Sequence, residues 1–521
     1  MVEEALNSRS RVAGGKRVLA MTGRNIVANA FGGLVGPLAY LVMTPFYYRV
    51  LGLEAVGLIG LFAMTVSVLQ VFSAGVGISY QRNIAASDES HPGDLPALLS
   101  GGLLVFATLG LILGLILVGL GSYQFDALLH KSSFHEQTLR RSLLTVCFML
   151  SLGMATNGAS TTISALRDQL WQNIAQSCVT IGVALGCWLL LSWSPRIEYY
   201  YYCQAVGTVV TALLYGWRCV WLVSRRAAGH QRRTFREVWR ERYGKDGVLA
   251  LALMVHEGMG VVIGQLDRIL ISGLLPLASL GTYTLVTGPA KMAQMVTLPF
   301  GTAVFPEICA LAGGREDRQG LGEYLGRMAY MMGSASICLL LVVFACGESI
   351  LTLWLRGAEV GKDMGTCLRL LCLANCVLAG AGLFYGTSVA FGKVRFAIVK
   401  NAGALLILPG IGWLAVKNWG IVGAASCWLL YCVATLSICV LVVFRRHADL
   451  NAAGRWFGRL GLLAALAIIL SWLASLPEWN SVARILLATG ISSITGCLAM
   501  SLPFGFSPRN WMKACELGFS K

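Results

Sequence analysis

The chain has 521 residues, of which 56% are hydrophobic and only 13% charged, with a formal net charge of +16. Ordinary soluble domains carry about 25% charged residues. The composition therefore excludes a soluble globular enzyme as the body of the chain and leaves almost nothing for a catalytic domain outside a membrane.

Fourteen apolar stretches, each roughly 20 residues long, run along the sequence with short loops between them. A hydrocarbon core about 30 Å thick needs ~20 apolar residues to be crossed as a helix. In lipid, every backbone N–H and C=O must find its partner within the segment. The expected fold class is therefore an all-α integral membrane protein with 14 transmembrane helices. The first six run 25–49, 55–79, 96–121, 142–163, 173–193 and 199–223. The opening run, Asn25 to Tyr48, is too long for a signal-peptide core and lacks a small-residue cleavage site, so it predicts a retained anchor. The next six run 247–273, 279–304, 324–346, 366–391, 396–416 and 419–444, and the last two 457–475 and 482–503.

Lys and Arg accumulate in cytoplasmic loops. With the N-terminus in the cytoplasm, the tails and even-numbered gaps hold most of the 41 basic residues, so both termini are expected there. Basic loops facing anionic lipid then account for the net charge, and no nucleic-acid partner is needed. The linker 224–246 is the most basic stretch, with Arg225, Arg226, Arg232, Arg233, Arg236, Arg240, Arg242 and Lys245. From Phe235 to Tyr243 it reads either as a positive-inside loop or as an amphipathic helix on the inner leaflet. The 16 cysteines are scattered without a metal-ligand cluster. Only Cys346 and Cys367 flank one outer loop, and they are expected to be unpaired.

The chain repeats itself. Leu53-Glu-Ala-Val-Gly-Leu-Ile-Gly-Leu-Phe62 matches Leu277-Ala-Ser-Leu-Gly-Thr-Tyr-Thr-Leu-Val286, with Gly57 on Gly281. In nearly the same register Ile84-Ala-Ala86 falls on Ile308-Cys-Ala310, and Ile163-Ser-Ala-Leu166 on Ser388-Val-Ala-Phe391. Arg225-Arg226 mirrors Arg445-Arg446. Six helices separate equivalent points, and an even number keeps both copies in one orientation, so the repeat is parallel. The expected organisation is an N-lobe at 1–223, the linker at 224–246, a C-lobe at 247–446, and an appendix at 447–521 holding helices 13 and 14. Carriers built on repeats hold substrate at the repeat interface and alternate access by rocking the lobes, so a central cavity is expected.

Several segments, in order, resemble the oligosaccharide flippase family. These are the O-antigen and exopolysaccharide flippases, kin to the lipid II flippases and to multidrug and toxin extrusion carriers. Arg49-Val-Leu-Gly-Leu-Glu-Ala-Val-Gly57 is similar to the family's R-x-L-G connection between its first two helices, and Leu266-Asp-Arg-Ile-Leu-Ile-Ser-Gly273 to its D-R run. Leu280-Gly-Thr-Tyr283, Phe305-Pro-Glu307, Gly392-Lys393 and Gly420-Ile-Val-Gly-Ala-Ala425 also fit. Val56 departs from the aromatic often found at its position, and fourteen helices favour the lipid-linked-glycan branch. The resemblance implies a non-enzymatic carrier of a bacterial inner membrane. It would turn a polyprenyl-diphosphate-linked oligosaccharide from the cytoplasmic to the outer leaflet, without cofactors. It further implies surrounding membrane lipid, a polymerase of the same pathway as a partner, and a monomeric state.

A diphosphate must cross a low-dielectric slab, and fixed cations in a wet cavity lower that barrier. Arg suits phosphate because its planar fork donates two parallel hydrogen bonds. Ionisable residues deep in membrane helices therefore mark the cavity. Glu257 and Arg268 of helix 7 lie 11 residues apart, within about 20° of one face, with Gly264 between them leaving room for a ligand. Asp267 adjoins Arg268; ion pairing between helices is the structural alternative for both. Lys291 sits near the middle of helix 8, where cavity lining competes with a buried pair to Glu257. His256 reads as packing. Arg24 enters helix 1 and Arg82 follows helix 2 on the same side, where they either receive a diphosphate or snorkel to lipid. Arg167, Asp168 and Lys393 read as loop charges. Gly32, Gly33 and Gly36 allow either a hinge or close packing.

Two rival functions have different signatures. A membrane polysaccharide polymerase or ligase needs a substantial outer loop with catalytic Arg or His, and the largest here, Ser122 to Arg141, is short. A drug exporter needs an apolar, acidic cavity. Basic lining favours a glycolipid, acidic lining a cationic drug.

Overall fold

The computed structural model describes residues 32–131, 133–231, 233–234, 237–238, 247–313, 318–356, 361–391, 394–475 and 481–501. Arg24, Lys393 and most of Phe235–Tyr243 lie outside them. Within the described residues the chain is helical, without strands. It divides into two compact units, Met1–Gln265 and Leu266–Lys521.

In unit 1, α1 is Gly32–Leu51. It is followed by α2 (Leu53–Ser90), α3 (Leu95–Lys131), α4 (Glu136–Ala165), α5 (Gln169–Trp193) and α6 (Ile197–Arg226). α7 (Gly247–Leu274) carries the chain across the division between units. In unit 2, α8 is Leu277–Gly313, α9 Arg318–Trp354 and α10 Lys362–Ala390. The continuous helical stretch Val394–Arg446 is broken at Gly420, whose φ of 56° and ψ of −135° are not helical. It comprises α11 (394–419) and α12 (421–446). The two arms fold back as a hairpin: Lys400 Nζ reaches Tyr431 Oη at 3.2 Å, and Gly412 faces Cys427 while Gly423 faces Ala415. A Cβ on Gly423 would stand 2.0 Å from the Ala415 carbonyl oxygen, so the return arm passes where only glycine fits. α13 (Leu450–Ser475) and α14 (Ser481–Ser501) close the chain.

Ten helices among the described residues are long and apolar enough to cross a membrane, and the Val394–Arg446 stretch enters that number once. Several run beyond the length expected from hydropathy. α2 has 38 residues, about 57 Å at 1.5 Å per residue, against a core of about 30 Å. The apolar stretch expected there ends at residue 79 and the helix runs on to Ser90, so the turns around Arg82 continue it past the apolar part.

The helix order recurs. α8 begins 224 residues after α2, α9 223 after α3, α10 226 after α4 and α11 225 after α5. The packing recurs with it. In unit 1, α4 packs on α2, α3 and α6, and in unit 2, α10 packs on α8, α9 and the α11–α12 hairpin. The main core of each unit uses matching positions. Ile84, Leu98, Ala159, Tyr215 and Cys219 in unit 1 correspond to Ile308, Leu321, Phe384, Cys439 and Val443 in unit 2. α13 and α14 fall outside the repeat and pack on α9. Gly326 and Gly333 let α13 approach so closely that a Cβ at either would meet it at under 3 Å, and Gly322 does the same for the Asp449 backbone just before it, the small-residue mode of helix association in lipid.

The start of the basic linker is tied to unit 1. Arg226 pairs with Asp88, and Arg233 lies 3.5 Å from the buried Asp94. Thr234 N–H donates to the Glu237 carboxylate at 3.2 Å, half of a helix-start capping box, and Val238 is buried in the unit 1 core. Asp168 lies in the turn between α4 and α5, as expected, but it is not merely solvated. It pairs with Arg218 at 2.6 Å, and Arg218 lies over the rings of Trp171 and Trp221 at 5.1 and 4.4 Å. This accounts for a charged residue inside α6. Cys346 and Cys367 are free and buried.

Candidate functional site

Each unit has a polar site within its apolar helices. In unit 2 it forms at the seam of α7 and α8. Tyr283, Thr287 and Lys291 stand four residues apart and share one face of α8. Asp267 and Arg268, in the second half of α7, meet that stripe. The Tyr283 hydroxyl donates to Asp267 Oδ2 at 2.6 Å, and Arg268 Nη2 donates to Thr287 Oγ1 at 2.8 Å. The Arg268 backbone N–H donates to Asp267 Oδ1 at 2.8 Å, so both carboxylate oxygens are engaged. Tyr283 and Thr287 are buried, while Asp267 and Arg268 are half-buried. Leu270 packs on Gly412 of α11, which fixes this end of α7 on the hairpin.

Lys291 lies one turn beyond Thr287, exposed and within electrostatic reach of Arg268 and Asp267. Its flanks are gripped from α10. Asn375 Nδ2 donates to the Ala290 carbonyl at 2.9 Å, and Gln294 Nε2 donates to Asn375 Oδ1 at 3.0 Å. Lys291 itself, on the stripe it shares with Tyr283 and Thr287, is exposed beside that anchor. A charge facing hydrocarbon costs at least about 2.5 kcal/mol, so this face is built for something other than lipid tails. The cluster sets Arg268 and Lys291 beside Asp267, whose two carboxylate oxygens each accept one of these hydrogen bonds.

In unit 1 a slot of about 340 Å³ opens among α1, α2, α4, α5 and α6. Its polar lining comes from Gln70, Asn157, Gln176 and Gln204, from Tyr40, Tyr47 and Tyr200, and from threonines. Among the described residues no charged side chain lines it. The threonine donors are turned back onto their own helices. Thr156 donates to Leu152 O at 2.8 Å, Thr208 to Gln204 O at 2.9 Å and Thr211 to Gly207 O at 2.8 Å, leaving lone pairs for the slot. The side-chain amides of Gln70 and Asn157 make no hydrogen bond among the described residues. Gln176 accepts from Tyr215 Oη at 3.2 Å. Gly36 borders the slot with nothing within 4 Å of a built Cβ, whereas Gly32 is packed on Asn173.

The structure thus brings Asp267, Arg268 and Lys291 together in unit 2. Arg82 is exposed on α2 and Glu257 exposed on α7, and both belong to unit 1. Gly264 has open space around its Cβ position. Reading only charges missed Tyr283 and Thr287, which hold the charged pair, and the whole neutral slot. A signal for the slot was present: Tyr200, Gln204 and Thr208 recur every four residues along α6, a polar stripe on a membrane helix.

The model of a family described as polysaccharide biosynthesis protein matches residues 22–311. No curated protein matches the chain in sequence. Among solved structures, a lipid II flippase MurJ in an inward closed conformation is similar with a TM-score of 0.67 at 12% identity, covering 92% of this chain and 98% of that one. An inward-facing multidrug resistance MATE family transporter of the MOP superfamily is similar with a TM-score of 0.58 at 14% identity, covering 82% and 99%. The MATE multidrug transporter DinF-BH follows with a TM-score of 0.57 at 15% identity, covering 83% and 96%. At these identities the likeness is one of fold.

Proposed function

The chain belongs to the polysaccharide biosynthesis protein family, and from that premise we propose that it is a flippase, not an enzyme. It carries a polyprenyl-diphosphate-linked oligosaccharide from the cytoplasmic to the outer leaflet by alternating access, for assembly of a surface polysaccharide. Its setting on this reading is a bacterial inner membrane with both termini in the cytoplasm. It acts as a monomer and passes its cargo to a polymerase of the same pathway.

The observation that carries the reading is the cationic cluster of unit 2. Arg268 is oriented by Thr287 and Asp267 accepts from Tyr283, while Lys291 adds an exposed ammonium within electrostatic reach of both Arg268 and Asp267. A diphosphate gains charge-assisted hydrogen bonds from such a pair. Arg268 binds it as a planar fork and Lys291 as a point charge. Asp267 serves to position Arg268. Arg24, Arg82 and Glu257 are assigned on this reading to the path by which the headgroup enters. The sugars follow the diphosphate while the isoprenoid stays in lipid, which removes the largest desolvation cost from the crossing.

A carrier of cationic drugs would need the opposite sign here. The test is Lys291→Ala and Arg268→Ala in a strain that depends on the protein for surface glycan. Both variants are expected to reach the membrane at normal levels and to lose export, with the saccharide accumulating on its lipid inside the cell. Full export by both would reject the assignment.

A further inference from the structure

The neutral slot in unit 1 is set apart from the charged cluster by its chemistry. Five helices supply amides, hydroxyls and tyrosine rings to it and, among the described residues, no charge. Along α6 the lining runs from Tyr200 to Thr211, about 16 Å at 1.5 Å per residue, or half of the hydrocarbon thickness. Polar groups at such depth are costly unless something satisfies them. The amides of Gln70 and Asn157 have no protein partner among the described residues. A ligand that both donates and accepts hydrogen bonds at many points, presents apolar C–H faces and bears no charge matches this surface. Each carboxamide offers two donors and an acceptor with two lone pairs. The threonine oxygens add acceptors, and Tyr40 and Tyr200 add rings on which an apolar face can lie. Among the described lining residues a charged ligand would find no counter-ion, and proton exchange no carboxylate or imidazole. The volume of about 340 Å³ is at the small end of ligand sites, which run from about 300 to 1,000 Å³.

We propose that this slot binds uncharged sugar units of the transported glycan, so that unit 1 reads the saccharide while unit 2 reads the diphosphate. The proposal rests on the flippase reading for its ligand and goes beyond it in assigning a second subsite and its selectivity for neutral sugars.

The test uses the full chain in lipid nanodiscs and three short-chain probes. These are farnesyl diphosphate alone, farnesyl diphosphate bearing a neutral disaccharide, and the same carrier bearing a uronic acid disaccharide. The neutral glycan is expected to tighten binding at least ten-fold over farnesyl diphosphate, about 1.4 kcal/mol, and the uronic acid to add nothing. In Asn157→Leu/Gln204→Leu the sugarless and neutral-sugar carriers are expected to bind alike. Gln70→Leu, at an exposed position, is expected to lose part of the increment and serves if the double variant does not fold. An undiminished increment in these variants overturns the proposal. Variants that lose Na⁺-dependent thermal stabilisation but keep the sugar increment overturn it too, by making the slot a cation site. If no diphosphate carrier binds at all, yet the free neutral disaccharide binds and the variants abolish it, the flippase reading fails while the slot assignment stands.

Discussion

The two units are built alike and equipped differently. Their helices start at offsets of 223 to 226 residues, and their main cores use matching positions. Yet the positions in unit 1 that match Asp267, Arg268 and Lys291 are Met43, Thr44 and Ser67, none of them charged. Conversely, Gln204 and Thr208 of the slot fall on Trp428 and Cys432, and Asn157 falls on Gly382. The lesson is physical. Helix lengths and apolar faces set the fold and tolerate change only in volume, whereas a few polar side chains in lipid set the chemistry and can change independently. On the proposed reading, matching scaffolds that differ in a few polar side chains give one unit suited to anions and one suited to neutral polar groups.

The sharpest way to break that division is to give unit 2 the residue unit 1 carries. Lys291→Ser copies Ser67 at the matching position. A hydrogen bond to a charged group is worth about 1.5–3 kcal/mol, so glycan export is expected to fall by one to two orders of magnitude, measured as surface polysaccharide at matched membrane levels. Ser67→Lys in the same background should not restore it, because unit 1 has no matching Arg268 beside that position. Recovery of export would mean that the location of the cation between units is immaterial.

The likeness of the cores can be tested where the chemistry differs least. Ile84 and Ile308 are fully buried at matching positions. Ile→Ala at such sites costs about 2–5 kcal/mol. Both variants should lower the thermal unfolding midpoint by similar amounts in a detergent-solubilised assay while the surviving protein still exports. A large loss from one and none from the other would show that the two cores do not carry equal weight.

What the residues alone revealed follows the same split. Apolar runs and glycines located the helices and the repeat, because lipid permits little else over 20 residues. The hairpin at Gly420 was foreseen as two segments, 396–416 and 419–444, and the return of the chain there follows from one backbone conformation. Helix ends were misjudged where helices outrun the apolar stretch, as α2 does beyond residue 79 to Ser90, since hydropathy marks the lipid boundary and not the hydrogen-bonded end. Asp267, Arg268 and Lys291 stood out because an isolated charge in a membrane helix is conspicuous. Tyr283 and Thr287 did not, because a tyrosine and a threonine are common there, and only the folded seam shows what they hold. The slot was hidden for the same reason: its glutamines, asparagine and tyrosines come from five helices distant in sequence.

Asp168 and Arg218 offer the smallest and most discriminating test. They are the charged pair of unit 1 that sits among membrane helices, at 2.6 Å and about one-fifth exposed. Unit 2 has Lys393 and Val442 at the matching positions, so the pair is not shared. If unit 1 reads only neutral groups, this pair must be structural. The double-mutant cycle of Asp168→Asn and Arg218→Leu should then give a coupling of about 1–2 kcal/mol, below a fully buried pair because water screens part of it. Arg218 also rests on Trp171 and Trp221, so Arg218→Leu should cost more than Asp168→Asn through lost ring contacts. Export per folded molecule should stay at the wild-type level in both single variants. A loss of export without a loss of stability would put a working charge in unit 1 and dissolve the division of labour between the two halves.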